Sequence, residues 1–83
     1  MNKNELNKLN WIKVNKCYIE SMAYDQESRT LWIDRGAGII NKYILFAPEN
    51  WEGLTRANQM SFNYFKKQLA YYMSHCIYVK TDD

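Results

Sequence analysis

The chain has 83 residues, with 11 Lys or Arg against 9 Asp or Glu and a formal net charge of +2. That is room for one domain; it excludes an α/β barrel or a dinucleotide-binding unit joined to a substrate domain, and the small charge excess argues against a long nucleic-acid clamp. Aromatic residues make up 16% of the chain although mean hydropathy is −0.59, so large rings sit among polar side chains in a fold that buries only roughly 60–65% of its unfolded surface.

Residues 3–10 have the composition for one or two helical turns, too short to be stable alone, with Trp11 and Ile12 as anchors. Residues 17–24 alternate, with Cys17, Ile19, Ser21 and Ala23 on one side and Tyr18, Glu20, Met22 and Tyr24 on the other. That period of two predicts a strand. Asp25 to Ser28 is a polar turn, and residues 30–34 alternate again, completing a hairpin. Gly36-Ala37-Gly38 supplies the next turn, and residues 39–46, β-branched and aromatic, form a third strand. Pro48 opens a helix over 48–58, its N-terminus favoured by Glu49 and Glu52. Ser61 is the N-cap of a last helix whose stripe Phe62, Phe65, Leu69, Tyr72 and Met73 is expected to pack on the sheet. Residues 76–80 can add an edge strand. The expectation is a single domain of class α+β over 1–83: a small antiparallel sheet of three to four strands with two helices on one face, and an N-terminal extension over 1–16.

Charge is unevenly distributed. Lys3, Lys8, Lys13 and Lys16 stand against Glu5 in the first 16 residues, whereas 17–35 carries Glu20, Asp25, Glu27 and Asp34 against Arg29 and Arg35. No apolar run approaches the ~20 residues of a membrane span, and the N-terminus lacks the apolar segment of a signal peptide, so a cytoplasmic location is expected. Cys17 and Cys76 show no paired spacing and are expected to be buried, reduced thiols. The abundance of Asn and Lys fits an AT-rich bacterial or phage genome.

Residues 21–69 bring together Ser21, Tyr24 and Asp25, the hairpin into Thr30 and Leu31, the glycine-containing turn, Ala47-Pro48 with Trp51, Leu54 and Ala57, and then Tyr64, Phe65 and Leu69. In these features the segment resembles the KTSC domain, a short module found at the C-terminus of some lysyl-tRNA synthetases and alone in small bacterial and phage proteins. The chain departs from the family at its central Tyr-x-Tyr, where Lys42-Tyr43-Ile44-Leu45 keeps one tyrosine. Its Ser-Lys-Gly loop becomes Met60-Ser61-Phe62 or a neighbouring register. The resemblance implies a KTSC-like core over 17–73 and, through the tRNA synthetase association, an interest in RNA. It implies no catalytic signature.

Nothing in the residues points to catalysis. His75 is the one histidine, placed to suit a helix C-terminus. With Cys17 and Cys76 it makes an incomplete zinc set at a spacing no zinc module uses. There is no phosphate-binding glycine loop, and Asp25, Glu27 and Asp34 read as turn and strand-end residues. The expectation is a protein that is not an enzyme, with no cofactor and no metal.

The informative excess is aromatic. If Leu31 and Ile33 face the helices, Trp32 faces away, joined by the set containing Tyr18, Met22 and Tyr24 and, depending on register, by Tyr43 or Ile44. Such a surface is covered by the N-terminal segment, by a second copy of the chain, or by a ligand. The expected ligand site combines the basic residues Arg29, Arg35, Lys42, Lys66 and Lys67 with Trp32, Tyr43, Tyr64 and Tyr71 for stacking. The expected partners are a nucleotide or short RNA and the chain itself as a homo-oligomer, with no membrane. Such a binder would suit a phage counter-defence protein that sequesters a nucleotide signal. The alternatives are an inhibitor that blocks a host defence protein directly, or a purely structural oligomerisation module.

Overall fold

The computed structural model describes residues 6–80. Its elements in chain order are β1 (Ile12–Lys16), β2 (Ile19–Asp25), β3 (Thr30–Gly36), β4 (Ile39–Ile44), α1 (Pro48–Asn58), α2 (Phe62–Met73) and β5 (Ile77–Val79). The strands form one antiparallel sheet in the order β1-β2-β3-β4-β5. This is the expected α+β class with one strand more than expected. The added strand, β1, lies within the stretch read as an extension over 1–16. Its edge position and the bulge between Lys13 and Lys16 explain why its Ile12/Val14 alternation is short. Of the helix expected over 3–10, residues 3–5 lie outside the described part, and the remainder ends in a turn held by the Trp11 indole donating to the Leu6 carbonyl at 2.9 Å.

Register decides which face carries the core. Met22 pairs with Ile33, Tyr24 with Leu31, and Leu31 with Tyr43. These residues point the same way and pack with Leu54 and Ala57 of α1 and Phe65 and Leu69 of α2. Met22 and Tyr24 thus face the helices, opposite to the expectation. Strand two spends its bulky side chains on the core and leaves Ala23 for the other face, where it pairs with Trp32. Phe62 is also corrected: it begins the helix outside the stripe and is 51% exposed.

The turns are fixed by local chemistry. In the β2–β3 loop the Asp25 carboxylate accepts from the Glu27 amide and the Ser28 hydroxyl, an Asx-type turn. Gly36, Ala37 and Gly38 all have positive φ (85°, 55° and 80°), a run that glycine makes accessible. Pro48 sits at the start of α1, and the Ser61 hydroxyl accepts from the Tyr64 amide to cap α2. Lys16 closes the other end of α1, donating to the Asn58 carbonyl at 2.8 Å with its ammonium 5.4 Å from the Phe65 ring centroid. A cation is favourable at the negative end of a helix, so β1 is tied to the helical layer.

Candidate functional site

The register that builds the core also builds a polar cluster on the same face of β3, β4 and β5. Asn41 is opposite Ile33, and Tyr43 is opposite both Leu31 and Tyr78. Arg35, two residues beyond Ile33, continues the row on β3. Its Nε donates to the Asn41 side-chain oxygen at 2.9 Å, and the Asn41 amide nitrogen donates to the Tyr78 hydroxyl at 3.3 Å. The Tyr43 and Tyr78 rings lie 5.2 Å apart at 53°. Tyr43 is buried and Tyr78 is half exposed. Burial pushes the Tyr43 phenol above its ordinary pKa, while Arg35 beside it acts in the opposite direction.

Among the described residues, Arg35 has no carboxylate partner. The ion pair among the described residues is Arg56 with Glu52, on the exposed side of α1. Arg35 is oriented through Nε and its guanidinium also reaches the Tyr43 hydroxyl, so part of its planar fork is used within the cluster and its positive charge is what remains for a ligand. A fork of this kind matches a phosphate or carboxylate in two-point contact. Tyr78 adds a half-exposed ring and a hydroxyl beside it.

The nine residues expected to form one site divide among several places. Arg35 and Tyr43 come together, although Tyr43 faces the helices and not away from them. Trp32 and Lys42 come together on the opposite face, with the Lys42 ammonium 5.1 Å from the Trp32 ring centroid. Trp32 is not an exposed stacking platform: it is 4% exposed, and its indole nitrogen has no hydrogen-bond partner among the described residues. Arg29 sits in the β2–β3 loop with φ 54°, where its carbonyl accepts from the Phe46 amide at 3.0 Å. Tyr64, Lys66, Lys67 and Tyr71 are exposed on α2, with the Tyr71 ring against Tyr72 and His75.

Asn41 and Tyr78 are the members that sequence reasoning left out. Asn41 could have been found two residues before Tyr43 in an alternating strand. Tyr78 could not, because its place depends on β5 returning to pair with β4.

Cys17 and Cys76 are free and half-buried; burial pushes the Cys76 thiol above its ordinary pKa. The His75 Nδ1 lies 2.8 Å from the Tyr71 carbonyl, at the end of α2. Among the described residues, no group of three or more His, Cys, Asp or Glu could hold a metal ion, and no helix is long and apolar enough to cross a membrane. No family model matches this chain, and no curated protein or solved structure shows significant similarity to it.

Proposed function

We propose that this protein binds a phosphorylated ligand, a nucleotide or the end of a short RNA, at Arg35, and performs no chemistry on it. The observation that supports this most is the Arg35–Asn41–Tyr78 chain of hydrogen bonds. It holds a guanidinium in place without neutralising it and sets an aromatic ring beside it. A phosphate answers the guanidinium, and a base can stack on the Tyr78 ring, an interaction worth about 1–3 kcal/mol in single-stranded nucleic-acid binders. Lys42 and Trp32 lie through the sheet from this cluster, so they belong to the scaffold in this reading.

The resemblance of residues 21–69 to the KTSC module runs parallel to this reading through its association with RNA. Sequestration of a nucleotide signal within an infected bacterial cell would need only such binding. A second copy of the chain is the other partner we propose.

A thermal-shift screen with nucleoside mono-, di- and triphosphates and tetranucleotide RNAs tests the reading. A ligand present at 100 times its Kd adds about 2.7 kcal/mol of stability. The expected outcome is a raised melting temperature for at least one phosphorylated compound and none for its nucleoside, with no product formed on prolonged incubation. No shift with any of them would overturn it.

A further inference from the structure

We propose that the groove between the β1–β2 hairpin tip and α2 receives Tyr18 of a second copy of this chain, so that two copies pair about a two-fold axis. This rests on the second partner named above and is independent of the Arg35 cluster. The groove has a volume of about 290 Å³ and is walled by Phe62, Lys66, Ala70 and Met73 of α2 and by the hairpin tip, with Leu69 also lining it. Tyr18 stands at its lip and is 93% exposed.

The hairpin tip is unusual in a way that bears on this. Lys16 pairs with Ile19, so Cys17 and Tyr18 are the two central residues of the turn, with φ of 56° and 59°. Two positive φ values are those of a type I′ hairpin turn, and asparagine followed by glycine is the sequence that meets them without strain. Here a cysteine and a tyrosine hold that conformation. The result is a large ring carried outward on a short, stiff support.

A projecting ring and an apolar hollow side by side on one surface are what an isologous contact needs. A two-fold axis between them puts each ring into the other copy's hollow. Charge agrees with this occupant. Among the described residues, no acidic residue lines the groove and Lys66 has no ion pair, so its ammonium is available to the electron-rich face of an incoming tyrosine ring. A half-exposed Phe62 adds apolar area. A contact built on these rings falls at the small end of specific interfaces, so association should depend visibly on concentration.

The experiment is light scattering of the full chain over a wide concentration series. The wild type should rise from the 10.0 kDa chain mass towards twice that value. Tyr18→Gly removes the ring and suits the turn's backbone, so loss of pairing cannot be a folding failure. Ala70→Phe fills the hollow from an exposed helical position. Both should weaken pairing at least tenfold, while Arg35→Ala pairs as the wild type does. A wild type that remains at the chain mass throughout, or either groove variant pairing like the wild type, would overturn the proposal and leave the Arg35 reading intact.

Discussion

Arg35 and Asn41, on adjacent strands, are joined by a hydrogen bond from the guanidinium Nε to the amide oxygen at 2.9 Å, and Asn41 passes the connection on to Tyr78. The bond aims the arginine without discharging it. Charge-assisted hydrogen bonds contribute about 1.5–3 kcal/mol. Arg35→Ala should therefore weaken binding of a phosphorylated ligand by about 10- to 100-fold. Arg35→Lys should recover only part of this, because an ammonium cannot make the two-point contact. Asn41→Ala should have a smaller effect, since it loosens the guanidinium and leaves its charge. Titration calorimetry on the three variants measures the order.

Tyr24 locks β2 to the start of the helical layer. Its hydroxyl donates to the Phe46 carbonyl, and its ring stacks on Trp51 at a centroid distance of 5.4 Å and 16°. Tyr24→Phe keeps the ring and leaves a part-buried carbonyl without its donor. It should cost about 1–3 kcal/mol in urea denaturation, and Trp51→Ala should cost more, because it removes a large contact as well.

Gly53 is a glycine in mid-helix, where alanine would ordinarily stabilise by about 1 kcal/mol. A methyl group here would overlap the Tyr72 hydroxyl and ring. Gly53→Ala should therefore destabilise by about 1–3 kcal/mol, the range for overpacking. In a Tyr72→Ala background the same substitution should become stabilising. That change of sign in a double-mutant cycle distinguishes the steric account from a general intolerance of α1.

Alkaline pH should destabilise the fold through three named groups. Burial raises the pKa of Tyr24 and Tyr43 above 10.0 and of Cys76 above 9.0. In the unfolded chain these groups lose their protons first, so above about pH 9 the unfolded state binds fewer protons than the folded state. Stability falls from there as pH rises through the folded pKa values, and it is fully present below pH 9. Urea midpoints measured from about pH 8 to about pH 11 should decline. The decline should be shallower in a Tyr24→Phe, Tyr43→Phe, Cys76→Ala variant.

Local signals carried most of the fold. Alternation located β2 and β3, β-branched and aromatic composition located β4, Pro48 and Ser61 marked the helix starts, and Gly36 and Gly38 marked a turn. The signals that failed were those whose cause is not local. β1 was obscured because its hairpin turn is Cys17-Tyr18, which has none of the usual turn chemistry, and because Asn15 bulges with φ 54°. The facing of β2 was inverted because alternation gives two sets and says nothing of which meets the helices. Pairing of Ala23 with Trp32 resolves that, and it is a fact of register. Of the candidate site, Arg35 and Tyr43 were legible as residue types; their meeting with Asn41 follows from the register of β3 on β4, and that with Tyr78 depends on β5 pairing with β4 after two intervening helices.

The central claim is that a phosphorylated ligand is held at Arg35. The most direct measurement is chemical-shift mapping by heteronuclear NMR with adenosine 5′-monophosphate and a tetranucleotide RNA as probes. The account predicts saturable shifts at the Arg35 side chain and at Asn41, Tyr43 and Tyr78, with Trp32 and the exposed side of α2 unmoved. Shifts centred on Trp32 and Lys42 or on Lys66 and Lys67, or none at Arg35 at saturating probe, would contradict it.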